Sequence, residues 1–135
     1  MANVTMQHID PVTAHQFLLD HAEAVLLDCR SKTEFMYVGH AVGSEHVAWQ
    51  DGPEWAIDPE FVRKVRRLVK DDLARPLLII CRSGNRSVDA GRALEAAGFT
   101  RIINVLEGFE GPLDEQYHRG TQGGWRFHGL PWQQS

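Results

Sequence analysis

Hydrophobic positions along this chain alternate between helical spacing and short unbroken runs. Asp10-Pro11 reads as an N-cap followed by proline at the first helical position. Behind it Ala14, Phe17, Leu18 and Ala22 recur at helical intervals, which predicts a helix over residues 11–21. Residues 24–29 form a short apolar run that ends on polar positions, the pattern of a strand covered on both faces. Residues 31–38 suit a short helix closed by Gly39, and residues 43–48 a weaker strand around Val47. Asp58-Pro59-Glu60 repeats the cap, proline and acidic first-turn pattern. After it Phe61, Val62, Val65, Leu68 and Val69 make one apolar stripe, with Arg63, Lys64, Arg66, Arg67 and Lys70 mostly off it.

Residues 76–81 give the clearest buried strand, and it runs directly into Arg82-Ser83-Gly84-Asn85-Arg86-Ser87. Helical spacing resumes from Ser87 through Val88, Ala90, Gly91, Leu94 and Ala97 and stops at Gly98, a position suited to a left-handed C-terminal residue. Residues 101–106 supply one more strand. From about residue 108 glycine, proline and polar residues dominate, so the tail is expected to be irregular, with Trp125, Phe127, Leu130 and Trp132 as its anchors. Buried strands alternating with helices predict one α/β domain over residues 1–135, a mainly parallel sheet with helices on both faces. Ligands of such sheets bind beyond the carboxyl ends of the strands, where Cys81 falls.

Composition changes this picture little. At 135 residues, 43% hydrophobic and 24% charged, the chain can bury a core and is too apolar to be disordered. A net charge of -4 with scattered arginines leaves no footprint for nucleic acid. No run approaches a membrane span, and the start Met-Ala-Asn-Val-Thr lacks the signature of a secretory signal, so the cytoplasm is the expected location. Two cysteines, Cys29 and Cys81, are too few for a disulfide framework and suit a reducing compartment. His8, His15, His21, His46, His118 and His128 show no metal-ligand spacing, and no metal is expected.

Cys81 is the candidate nucleophile. A cysteine at a strand end, followed by a glycine-containing loop and a helix start, sits where loop amides and the helix N-terminus favour a thiolate. Arg82 and Arg86 add planar, permanently charged donors suited to an oxyanion, and Gly84 lets the loop curl into a cradle. An isolated buried cysteine is more often inert packing, but here four features coincide.

Cys81-Arg82-Ser83-Gly84-Asn85-Arg86-Ser87 resembles the active-site loop of the rhodanese homology family. Further stretches resemble that family's signatures: Asp28-Cys29-Arg30, Glu34-Phe35, Gly39-His40-Ala41, Gly43-Ser44, Gly124-Trp125 and Gly129-Leu130-Pro131. The resemblance implies a rhodanese-like three-layer domain and sulfurtransferase chemistry. A sulfane sulfur would be carried as a persulfide on Cys81, held by the amides of Arg82, Ser83, Gly84, Asn85, Arg86 and Ser87. Arg86 and Arg82 would orient a small anionic donor such as thiosulfate, and the acceptor would be cyanide, a thiol or a protein thiol. Asp28, Arg30, Glu34 and His40 would support the loops, and no cofactor would be required. Three departures stand out: one extra residue between Glu34-Phe35 and Gly39-His40, expected to alter only a helix end; Cys29 in a usually apolar position; and a single Gly108 followed by a stretch over residues 110–122 that is able to lie over the pocket.

Rival readings are a sulfur carrier in a relay, a non-catalytic module, and a cysteine phosphatase or arsenate reductase. The phosphatase loop carries one residue more between cysteine and arginine than the four here, Arg82 to Asn85, and needs a general acid. Asp51 and Asp58, the candidate acids, are each explained by a turn or cap. If the strands ending in Cys29 and Cys81 are neighbours, Cys29 is a candidate thiol for resolving the persulfide; strand alternation burying it away from Cys81 is the other reading. His118 and Arg119 either reach the pocket or belong to a solvated loop.

Overall fold

The computed structural model describes residues 6–134; Met1 to Thr5, part of the stretch read for a secretory signal, lie outside them. Chain order runs β1 (Gln7–Ile9), α1 (Pro11–Asp20), β2 (Val25–Asp28), a π-helical turn (Glu34–Val38), β3 (His40–Ala41), β4 (Glu45–His46), β5 (Gln50–Asp51) and β6 (Ala56–Ile57). Next come α2 (Phe61–Leu68), β7 (Leu77–Ile80), α3 (Arg86–Ala96), β8 (Ile102–Val105) and β9 (Trp132–Gln133). The central sheet has the order β1-β8-β7-β2-β4, and every pairing in it is parallel.

Strand alternation divides the core into two layers. Val25, Leu27, Cys29, Leu77, Ile79, Cys81 and Ile102 face α2 and α3, meeting Phe61, Val65 and Leu94. Leu26, Leu78, Ile80, Ile103 and Val105 face α1 and the C-terminal segment, meeting Ala14, Phe109 and Trp125. This is the expected α/β architecture with helices on both faces. Gly91 in α3 permits its approach to β8, since a Cβ there would sit 3.0 Å from Ile102 Cγ2 and closer still to Met6.

The helix starts differ from one another. Asp10 caps α1 as expected, accepting from the Thr13 amide at 2.8 Å, with Pro11 in the first turn. Asp58 does not cap α2. It accepts from the Glu60 amide in a turn of its own and pairs with Lys64, and the helix begins at Phe61 without a side-chain cap. The helix expected over residues 31–38 forms over residues 32–38, with Glu34–Val38 as a π-helical turn. The extra residue before Gly39 is thus absorbed by widening a turn, the usual form of a one-residue insertion in a helix.

Five short strands were not legible in the pattern: β1, the β3–β9 pair, and the two strands of the β5–β6 hairpin. Each is two or three residues long, below the length at which alternation can be read. In the tail, Trp125 is 1% exposed and Leu130 packs against the core, whereas Phe127 is 46% exposed and does not anchor it. Trp132 lies against Gly39, where any Cβ would collide with the indole. Among the described residues no helix is long and apolar enough to cross a membrane.

Candidate active site

Cys81 comes directly after β7, and its carbonyl is tied down from below: the Phe109 amide donates to it at 2.7 Å, and the Glu110 amide to the Arg82 carbonyl at 2.9 Å. Gly108 makes this strap possible, because a Cβ on it would lie 2.4 Å from the Cys81 oxygen. With its carbonyls held by the strap, the loop turns amides toward the sulfur. The Gly84 amide donates to Cys81 Sγ at 3.1 Å, and Gly84 takes the left-handed φ of 103° that this curl demands. Ser87, in the first turn of α3, lies 3.2 Å from the same sulfur.

Cys81 is 1% exposed, and its sulfur opens into a cavity of about 280 Å³ lined by Gln50, Trp55, Arg82, Ser83, Asn85 and Arg86. The Cys81 thiol is drawn down to about 5, first by the neighbouring Cys29 thiol, against the opposing effect of burial, and then by Ser87 and the Gly84 amide. At neutral pH this is a thiolate.

Cys29 is its counterpart on β2. The Cys29 amide donates to the Ile80 carbonyl at 3.0 Å, continuing the β2–β7 register so that Cys29 stands opposite Cys81, and both side chains face the same core layer. Cys29 therefore does not face away from Cys81. Its own thiol is pushed well above the ordinary value by the contact with Cys81 and by burial, so it remains protonated.

The two arginines of the loop divide. Arg86 points both terminal nitrogens at Glu34, at 2.7 and 2.8 Å, and its guanidinium lies 5.3 Å from the Trp55 ring. Burial alone would raise the Glu34 carboxyl, but Arg86 and Ser31 hold it down at about 2. Arg86 thus enters the cavity wall with its charge already matched. Arg82 is exposed, lines the same cavity and has no ion-pair partner among the described residues.

The remaining expected residues support the frame. Arg30 and Asp28 form a fully buried ion pair at 2.7 Å, and Arg30 also donates to the Gly39 carbonyl at 2.6 Å. His40 donates through Nδ1 to the Phe35 carbonyl at 2.7 Å and stacks on that ring at 3.8 Å. None of the four, Asp28, Arg30, Glu34 and His40, lines the cavity.

Sequence reasoning missed Gln50 and Trp55, which the β5–β6 hairpin brings to the cavity, and Asn104, buried on β8 beside Ser87. The stretch over residues 110–122 contributes no lining residue. His118 and Arg119 stay within it, where Asp114 accepts from the His118 amide and Arg119 donates to the Gly111 carbonyl. Asp51, the last residue of β5, accepts from the Lys32 and Gly52 amides, and like Asp58 it lies outside the cavity.

Comparison with known proteins places this geometry. The chain is 36% identical to Rv0390 of M. tuberculosis, whose crystal structure superposes with a TM-score of 0.84 over 96% of this chain and 98% of that one. It is 27% identical to an uncharacterized protein of Rickettsia conorii over 96% of this chain and 99% of the relative. It is also 32% identical to the thiosulfate sulfurtransferase GlpE of Pseudomonas aeruginosa, over 78% of this chain and 83% of that protein. The model of the rhodanese-like domain matches residues 12–114, and the chain belongs to that family.

Proposed function

We propose that this protein is a sulfurtransferase that carries sulfane sulfur as a persulfide on Cys81. The observation that carries the reading is a nearly buried thiolate that receives the Gly84 amide and opens only into a small cavity edged by an uncommitted arginine. The Cys81 thiolate attacks the outer sulfur of a donor such as thiosulfate. A sulfur–sulfur bond forms at Cys81, the bond to the sulfonate sulfur breaks, and sulfite leaves with the electron pair. An acceptor thiolate, or cyanide, then takes the terminal sulfur and returns the Cys81 thiolate. This is two-step covalent catalysis, in which the cradle stabilises the sulfur anion at both stages.

Arg82 meets the anionic end of the donor, while Arg86, already paired with Glu34, shapes the wall together with Trp55. Sulfite is a stable anion on departure, so no general acid is needed, and the absence of an acidic side chain from the cavity lining favours this reaction over phosphoester cleavage. Both cysteines are free thiols, which suits a reducing compartment such as the cytoplasm and an acceptor that is a small thiol or a protein's cysteine. Intact-protein mass spectrometry after brief thiosulfate treatment tests the proposal. A gain of about 32 Da that needs Cys81 and is lost to cyanide is the expected result. No gain with thiosulfate or with a persulfide donor would sink it.

A further inference from the structure

Behind the sulfur lies a short chain of polar groups sealed into the core. Ser87 is fully buried and touches Cys81 Sγ on one side; on the other it hydrogen-bonds Asn104 Oδ1, and Asn104 is 1% exposed in the middle of β8. Asn104 Nδ2 in turn donates to His8 Nδ1 at 3.1 Å, where β1 reaches solvent, and lies 3.5 Å from the Gly84 carbonyl. A buried asparagine in a strand otherwise built of Ile102, Ile103 and Val105 costs free energy unless every polar atom is used.

Proton counting gives this chain a purpose. A serine hydroxyl has one proton and accepts through its lone pairs. While that proton faces Asn104, Ser87 can only accept at the sulfur, which suits a Cys81 thiol or a neutral Cys81 sulfur. When Cys81 carries an anion, the proton is needed at the sulfur, and Asn104 Oδ1 would then face a bare oxygen. An amide resolves this by turning over, so that Nδ2 donates to Ser87 and Oδ1 faces His8, whose ring nitrogen accepts in one state and donates in the other; the turn gives up the long 3.5 Å contact to the Gly84 carbonyl. Neither an acceptor-only carboxylate nor an apolar side chain has that choice.

We infer that Asn104 is a positioning residue for the sulfur chemistry: by presenting either face of its amide, it lets the single Ser87 proton follow the charge on Cys81. The inference rests on Cys81 being the sulfur carrier. The other groups around the sulfur are fixed in role: the Cys29 thiol and the Asp28 carboxylate on β2, Arg86 with Glu34 at the start of α3, Arg82 in the loop, and His8 at the far end of the chain.

The test reads thiolate formation directly, by the pH dependence of Cys81 alkylation in N104D, N104L, S87A and S87A/N104D, with C81S as the blank. In N104D the carboxylate keeps the Ser87 proton, and the alkylation midpoint is expected to rise by about one pH unit, a roughly tenfold loss of thiolate below both midpoints. In N104L the proton is released to the sulfur, and the midpoint stays at or below that of the parent protein. In the S87A background the effect of N104D is expected to shrink to about twofold or less, because the path runs through Ser87. An N104D effect that persists in S87A would be a direct charge effect and overturns the inference, as does an N104L midpoint that rises as far as that of S87A. Should N104D fail to fold, the comparison of N104L with S87A decides. Alkylation needs no sulfur donor, so a cycle that holds while no persulfide forms counts against the sulfurtransferase reading alone, and the reverse outcome counts against Asn104 alone.

Discussion

β7 and β2 lie side by side, run in the same direction and reach cysteines that stand opposite one another, yet the two sulfurs are in opposite states. Cys81 is drawn down to about 5, while Cys29 is pushed well above the ordinary thiol value. The contact between the two sulfurs across the strands is the leading cause, and the loops beyond the strands add to it on the Cys81 side alone. After Cys81 the chain curls through Gly84 and directs an amide at the sulfur. After Cys29 the next side chain, Arg30, turns to the opposite layer, pairs with Asp28 and covers the Phe109 ring at 4.6 Å. One strand end is built to hold an anion and the other to hold a loop.

The largest effect expected from this contrast is on transfer itself. Cys81→Ser removes the nucleophile at nearly constant volume, so sulfur transfer from thiosulfate to cyanide should vanish while the thermal unfolding midpoint stays close to that of the parent protein. Residual full activity in C81S would transfer the chemistry to another residue and break the comparison.

Arg30→Met strikes the other strand end. It leaves the Asp28 carboxylate fully buried and unpaired, which should cost about 3–5 kcal/mol in urea unfolding. Replacing both partners, as in D28L/R30M, should recover most of that loss, because two apolar side chains leave no orphaned charge. If R30M unfolds like the parent protein, the buried pair is not what organises the end of β2.

Cys81 and its loop were legible in the sequence because their signal is local: an apolar run, a glycine and a helix start within a few residues. Asp28, Arg30, Glu34 and His40 were legible through the resemblance, and their partners were not, since no local spacing says that Glu34 grips Arg86 across 52 positions. Trp55 and Gln50 were hidden because the two-residue strands of their hairpin show no period. Asn104 was hidden for the opposite reason: it sits inside a run read for its apolar neighbours, and only the register with β7 brings it under the active loop. Long periodic elements announce themselves, whereas a cavity is assembled from short pieces distant in sequence.

A smaller effect sharpens the comparison at the sulfurs. Cys29→Ala removes the leading influence that lowers Cys81, so the Cys81 alkylation midpoint should rise from about 5 by about one pH unit, while Cys29→Ser, which keeps a donor, should hold most of the parent value. The state of Cys29 favours this donor role over disulfide resolution, because its thiol is held in the protonated form and the thiolate is the form that attacks. Equal shifts in both variants would assign Cys29 to packing.

The smallest expected effect concerns the clamp on Arg86. Glu34 titrates at about 2 in the folded protein against an ordinary 4.5, so the folded state holds this carboxyl in its charged form more firmly than the unfolded chain does. The stabilisation is present in full above about pH 4.5 and is lost as pH falls toward 2, where both states bind the proton. Because the pair is partly exposed, the contribution is of order 2 kcal/mol, less than the full shift would give. Urea unfolding at pH 6 and pH 3 reads it as a fall in stability that Glu34→Gln, having no charge to lose, should not share. A parent protein and E34Q that weaken in parallel between those pH values would mean that Arg86 is held by the loop and by Trp55 rather than by its carboxylate, and that the helix end of the active loop needs no ionic clamp.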